Sequence, residues 1–234
     1  MEDERGIRGM KAVFIFIALF VGLFVHANAQ TSTVKTNDGG GVTWEIPFAS
    51  EGNTISLNVQ NNSSFEAKKV SVALTNLPSF LEFKSSTGMI KKIPANGSGE
   101  AEFTFSVDKN APVGKDTTLT AVISTSDRQT WTKDITVTIA APKDYKLYNN
   151  FPNPFNPSTK IAFELPKASH VSLIIYDVVG REVARIADGE YTAGYTELSW
   201  NGASRNGQHV SSGVYFYRIT ADKWDKIMKM ILIK

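Results

Sequence analysis

The chain has 234 residues, with 25 basic against 23 acidic side chains, a net charge of +2, three histidines and no cysteine. Near-balanced charge, without a basic stripe or an acidic tail, points away from nucleic acid and from an anionic membrane surface. The absence of cysteine excludes a disulfide framework, thiol chemistry and Cys-based metal sites, so stability has to come from buried apolar area.

Taken in chain order, Ala12–Ala27 is a mostly apolar run that leads into Ala27-Asn28-Ala29 and Gln30. The run is shorter than the roughly 20 apolar residues of a membrane-spanning helix. Small residues at Ala27 and Ala29 fit the A-x-A cleavage pattern, so residues 1–29 are predicted to be a secretory signal peptide cut before Gln30. Glu2, Asp3 and Glu4 make a poor n-region, whereas Met10-Lys11 leads directly into the apolar core; Met10 is the expected start. Residues 30–41 form a flexible leader. Its Asp38-Gly39-Gly40-Gly41 lacks the lysine and following helix of a phosphate-binding loop.

From Val42 to Ala140 the pattern alternates with period 2. Ile55, Leu57 and Val59 share one face, as do Val70, Val72 and Leu74, and Phe103, Phe105 and Val107. Leu119–Thr125 and Trp131–Ile139 supply two more strands, and Val42–Phe48 and Phe80–Lys84 are weaker candidates. Asn61–Ser64, Pro94–Gly97 and Asn110–Gly114 are turn clusters. Seven strands in such a length predict an Ig-like sandwich over 42–140. Ala140-Ala141-Pro142-Lys143-Asp144 breaks the pattern and opens a linker over 141–150.

A second module, 151–234, opens on Phe151-Pro152-Asn153-Pro154-Phe155-Asn156-Pro157. Each proline fixes φ, removes a donor and biases the preceding residue toward extended backbone, so this lead-in is neither helix nor central strand. Strands are predicted at 159–165, 170–176, 182–186, 195–200, 213–221 and 226–233. The last is ambiguous alone, because Trp224, Ile227, Met228 and Ile231 also fit a helical face. The fold class is therefore all-β: two Ig-like β-sandwiches in tandem behind a signal peptide.

Catalytic patterns are missing. There is no G-x-S-x-G elbow and no serine, histidine and acid cluster at recognisable spacing. His170 and His209 stand apart, and Asp38, Glu45, Asp108, Asp116 and Asp127 do not form the alternating pattern of a calcium loop. The expectation is a protein without enzyme activity, cofactor or metal. Trp44 and Trp131, with Phe65 and Phe80, are weighed as a flat glycan platform against an ordinary aromatic core. Because Trp131 alternates with Ile135, Val137 and Ile139, its pattern favours the core.

Residues 145–234 resemble the type A C-terminal sorting domain of the type IX secretion system. The likeness is carried by Pro152, Asn153, Pro154 and Asn156 in the lead-in, by Gly180 and Arg181 in Val179-Gly180-Arg181-Glu182-Val183, by Gly213 and Tyr215 in Ser-Gly-Val-Tyr, and by Lys229 and Lys234 at the end. The resemblance implies passage through the general secretion machinery and folding in the periplasm. It further implies export by the type IX translocon and removal of the module by a sortase-like protease. The product would be secreted or held at the cell surface, with anionic lipopolysaccharide or glycans as possible partners. Residues 42–140 are similar to CARDB-type Ig-like modules of bacterial adhesion and spacer proteins. A carbohydrate-binding module and a periplasmic scaffold are the alternatives. The flagellar hook-capping protein carries a similar Ig-like domain, but a short chain with a signal peptide argues against that identity.

Overall fold

In the computed structural model the chain is all-β, and no helix occurs among the described residues. These are residues 42–234 apart from Asp127, preceded by four short strands: β1 (Ala12–Ile15), β2 (Ile17–Ala18), β3 (Leu23–His26) and β4 (Val34–Thr36). β1 and β3 pair along strand β6 (Asn53–Asn61), and β4 pairs with β5 (Val42–Ile46). Met10, the cleavage residues Ala27, Ala29 and Gln30, and the glycine-rich stretch 37–41 lie outside the described residues.

Two compact units divide the chain, Met1–Ala140 and Ala141–Lys234. In the first, β6 and β5 are followed by β7 (Ala67–Thr75), β8 (Leu81–Phe83), β9 (Thr87–Ile93), β10 (Ser98–Val107), β11 (Asp116–Ser124) and β12 (Thr130–Ile139). One sheet runs β2-β3-β6-β10-β8 with β1 also on β6, and the other β4-β5-β12-β11-β7-β9. Their inner faces meet through the alternating residues: Ile55, Leu57, Val59, Phe103 and Phe105 from one, Val72, Leu119, Ile123, Ile135 and Val137 from the other. Burying each such side chain contributes about 1.5–3 kcal/mol. Two of the turn clusters are tied by one side chain. Asn61, only 1% exposed, donates from Nδ2 to the carbonyls of Phe65 (2.7 Å), Ile93 (3.2 Å) and Pro94 (3.1 Å).

β9 is a strand that periodicity misses. Lys91, Lys92 and Gly88 depress its β propensity, but pairing with β7 from Ala67↔Ile93 to Ala73↔Thr87 holds it extended. The glycan platform is corrected. Trp44 is 5% exposed and belongs to the core, so its ring face is not offered to solvent, and Trp131 packs half-buried on the same cluster. Phe80 does likewise, whereas Phe65 alone is exposed, at 79%.

The second unit contains β13 (Lys146–Leu147), β14 (Thr159–Leu165), β15 (Ser169–Tyr176), β16 (Glu182–Tyr191), β17 (Gly194–Trp200), β18 (Gly213–Ala221) and β19 (Trp224–Leu232). Its sheets run β13-β14-β17 and β16-β15-β18-β19. Ile161, Phe163 and Leu165 from the first face Val171, Leu173, Ile175, Tyr217 and Ile219 from the second. β19 is a strand, held to β18 from Gly213↔Leu232 to Ala221↔Trp224. The linker expected over 141–150 is shorter than its sequence suggests. Pro142 is buried, β13 pairs with β14, and the Tyr148 N–H donates to the Ala162 carbonyl at 2.9 Å. Lys143 and Asp144 are the exposed residues of the junction.

Candidate functional site

Two of the residues singled out in the second module are linked through the lead-in: Asn153 to the end of the chain, and Tyr215, by way of Phe155 and Trp200, to an aromatic corner. Fixed by its prolines, with cis bonds at Phe151-Pro152 and Asn153-Pro154, the segment runs beside the end of β19. Phe155 forms a parallel bridge to Leu232: its N–H donates to the Ile231 carbonyl and its carbonyl accepts from Ile233 N–H, both at 3.0 Å. Asn153 Oδ1 accepts from the Ile231 N–H at 3.0 Å. The lead-in thus serves as a short extra strand that caps the last turn of chain.

Inward, Phe155 is 1% exposed and its ring lies 5.6 Å from that of Trp200, which lies 5.5 Å from that of Tyr215. Trp200 Nε1 donates to the Ala203 carbonyl at 2.8 Å, and the Tyr215 hydroxyl to the Ser211 carbonyl at 2.7 Å, so both rings bury with their polar tips satisfied. Gly202 closes this corner at φ +72°; a Cβ there would stand 2.9 Å from the Pro157 carbonyl.

Tyr215 also lines an open depression of about 500 Å³ whose walls include Asp177, Arg181, Val183, Arg205 and Val210. The turn carrying Gly180 and Arg181 forms one side. Asp177 Oδ1 accepts from the N–H groups of Val179 and Arg181 at 3.0 Å, and Arg181 Nε donates to Asp177 Oδ2 at 2.7 Å. Gly180, at φ +80°, supplies the left-handed conformation that this turn needs. These bonds hold the Asp177 carboxyl below its ordinary value, while burial raises the Tyr215 phenol.

A second, buried knot secures the lead-in from behind. The Tyr217 hydroxyl accepts from Asn150 N–H at 3.1 Å and donates to the Tyr148 carbonyl at 2.9 Å. Asn150 Nδ2 donates to the Pro152 carbonyl and to Thr159 Oγ1, at 3.0 and 2.9 Å. Tyr217→Phe leaves the buried Asn150 N–H and the half-buried Tyr148 carbonyl without this partner, which costs about 1–3 kcal/mol. Urea unfolding of the second module, against an unchanged first module, is the measurement.

Tyr145 fixes the start of the unit. It stacks on Trp224 at 5.3 Å and donates to Asp222 Oδ2 at 2.9 Å, where Lys167 Nζ also lies at 2.8 Å. Bonding by Lys167 first, then Tyr145, lowers the Asp222 carboxyl from its ordinary 3.8. Because the folded value is depressed, this stabilisation is complete above the unfolded value and is lost as pH falls through the folded one. The Tm of the second module is therefore expected to drop below pH about 4. Asp222→Asn should lower Tm at pH 7 and flatten that acid limb; an acid limb unchanged by the substitution would remove Asp222 from the account.

Of the residues named from sequence, the structure joins Asn153 to the chain end, and Tyr215 to the wall that holds Arg181. Pro152, Pro154 and Asn156 are exposed along the lead-in, Gly213 pairs with Leu232, and Lys229 and Lys234 are exposed on the terminal strand and tail. Phe155, Trp200, Asn150 and Tyr217 were missed. Phe155 sits inside the proline motif, where an apolar residue among turn-formers was the available signal. Elsewhere, Asp108 Oδ1 caps its own turn through the Asn110 N–H at 2.7 Å, and Asp127 lies outside the described residues. His170 is exposed with Nε2 3.6 Å from Asp188. No cluster of metal-ligating side chains occurs among the described residues.

The model of the FlgD Ig-like domain matches residues 149–225, so the second module is similar to that domain over less than half of the chain. No curated protein matches the chain. Among solved structures it is similar to dimeric latent PorU from Porphyromonas gingivalis, at 15% identity and TM-score 0.34, over 91% of this chain and 20% of PorU. The chain thus spans about a fifth of PorU's length. It is also similar to the Pseudomonas aeruginosa CupB2 chaperone, at 12% identity and TM-score 0.29, over 81% of this chain and 96% of that one. The YadV chaperone aligns at 9% identity and TM-score 0.29, over 87% and 100%.

Proposed function

We propose that the second module is an export address for the type IX secretion system and that the first sandwich is its cargo, a non-enzymatic adhesion or spacer module at the cell surface. The reading rests on the sequence likeness of residues 145–234 to that system's sorting domains. The observation that carries it is the seating of Phe155 between the end of β19 and Trp200. Lead-in and chain end become one surface only when the whole sandwich has folded. A machine that recognises this surface selects folded modules and ignores unfolded ones.

The same reading places the cut by a sortase-like protease between Ala141 and Asp144. Lys143 and Asp144 are exposed there, and from Tyr145 onward the chain is held by the sandwich. Fractionation of expressing cells with intact-mass analysis tests this. A surface species ending within 141–144 is the expected result. Full-length protein confined to the periplasm would overturn the export reading in favour of a periplasmic scaffold.

A further inference from the structure

β19 is the outermost strand of its sheet, and its outer edge is only partly covered. The bonds from the lead-in engage the N–H groups of Ile231 and Ile233 and the carbonyl of Ile231. Backbone groups alternate sides along a strand. Asp225, Ile227 and Lys229 therefore also direct their N–H and C=O groups outward, toward an edge on which no strand lies among the described residues. This open window is bounded by the lead-in at one end and by the Asp222–Lys223 turn at the other.

The side chains of the window are self-complementary. Asp225, Ile227 and Lys229 share the exposed face of β19, and Ile227 is 53% exposed. We propose that a second copy of this chain adds its own β19 antiparallel to this edge, with Ile227 opposite Ile227 about a two-fold axis. In that register Asp225 of each copy stands opposite Lys229 of the other, and all three outward residues form hydrogen-bonded pairs. Asp225 already has Arg218 at 2.6 Å, whereas Lys229 has no ion pair among the described residues; the second copy supplies one. Two-residue shifts fail. One runs Asp225 into Ile231, which the lead-in occupies, and the other sets Lys229 against Lys223 and Ile227 against Asp225. Lysines at an edge discourage indiscriminate strand pairing. Here they leave one favourable register, the isologous one.

The native chain has no cysteine, so Ile227→Cys gives a single reporter thiol in the whole protein. Directly opposed residues of a hydrogen-bonded antiparallel pair lie about 5.5 Å apart at Cα, within disulfide reach. Mild oxidation should cross-link Ile227→Cys at least about tenfold faster than Val178→Cys, whose side chain is comparably exposed. Adding Lys229→Glu should slow cross-linking about tenfold by opposing like charges twice. Mixing that chain with Ile227→Cys carrying Asp225→Lys should restore it. Sedimentation supplies an independent reading. Ile227→Pro is tolerated because its N–H points away from β18, and it should stay monomeric where the unmodified chain forms dimers. Equal cross-linking at 227 and 178, a dimer that survives Ile227→Pro, or an unmodified chain that is monomeric at all concentrations would each overturn the proposal.

Discussion

Replacing Phe155 with alanine is expected to cost the second module about 3–5 kcal/mol, the range for deleting a fully buried aromatic ring. The ring is 1% exposed and leans on Trp200, whose other neighbour is Tyr215, so the cavity opens where three aromatic rings meet. Rigid neighbours collapse poorly into such a hole, which places the expected loss toward the upper part of the range. The backbone consequence is separate: a poorly seated lead-in no longer covers Ile231 and Ile233. Urea unfolding should show the transition of the second module moving to lower denaturant while that of the first stays fixed. Hydrogen exchange at Ile231 and Ile233 should accelerate more than the loss of global stability requires. Equal acceleration throughout β19 would mean that Phe155 contributes packing alone. Under the export reading, this variant is retained in the periplasm.

Truncation after Lys229 should have the larger effect. It removes Met230 and Leu232, buried to 0% and 1% exposure, and with them the strand on which Phe155 docks. At about 2–5 kcal/mol for each buried side chain, the loss reaches about 4–10 kcal/mol, which exhausts the stability of an ordinary domain. The second module should lose its cooperative transition and become protease-sensitive, while the first sandwich, with its own core, melts as before. A truncated module that still melts cooperatively would show that the chain end is dispensable for the fold. Replacing only Ile233 and Lys234, both exposed, is the control and should leave stability nearly unchanged.

The strands that sequence located best are those whose register is local and whose two faces differ. Ile55-Leu57-Val59, Phe103-Phe105-Val107 and Val171-Leu173-Ile175 alternate apolar with polar residues, and each apolar set enters a core. The same alternation failed beyond Ile186. Asp188, Gly189 and Glu190 look like a turn, yet β16 continues to Tyr191 because β15 pairs with it in unbroken register from Leu173↔Ala187 to Ser169↔Tyr191, beyond a register shift at Ile186. β9 failed for a similar reason, since its lysines lie on an edge that pairing with β7 alone makes regular. The proline lead-in was legible as non-helical. Its partner was not, because a parallel bridge between Phe155 and Leu232 joins positions far apart in sequence.

Sequence alone determined the all-β class and the division after Ala140, because periodicity and proline geometry are properties of neighbouring residues. Tertiary structure decided which of those residues act together. It moved Trp44 from a candidate binding face into a core and shortened the linker by building Lys146 and Leu147 into a sheet. It also joined Asn153 and Phe155 to the last residues of the chain. Burial and long-range hydrogen bonding are set by what the fold brings close, and no local pattern records that partner.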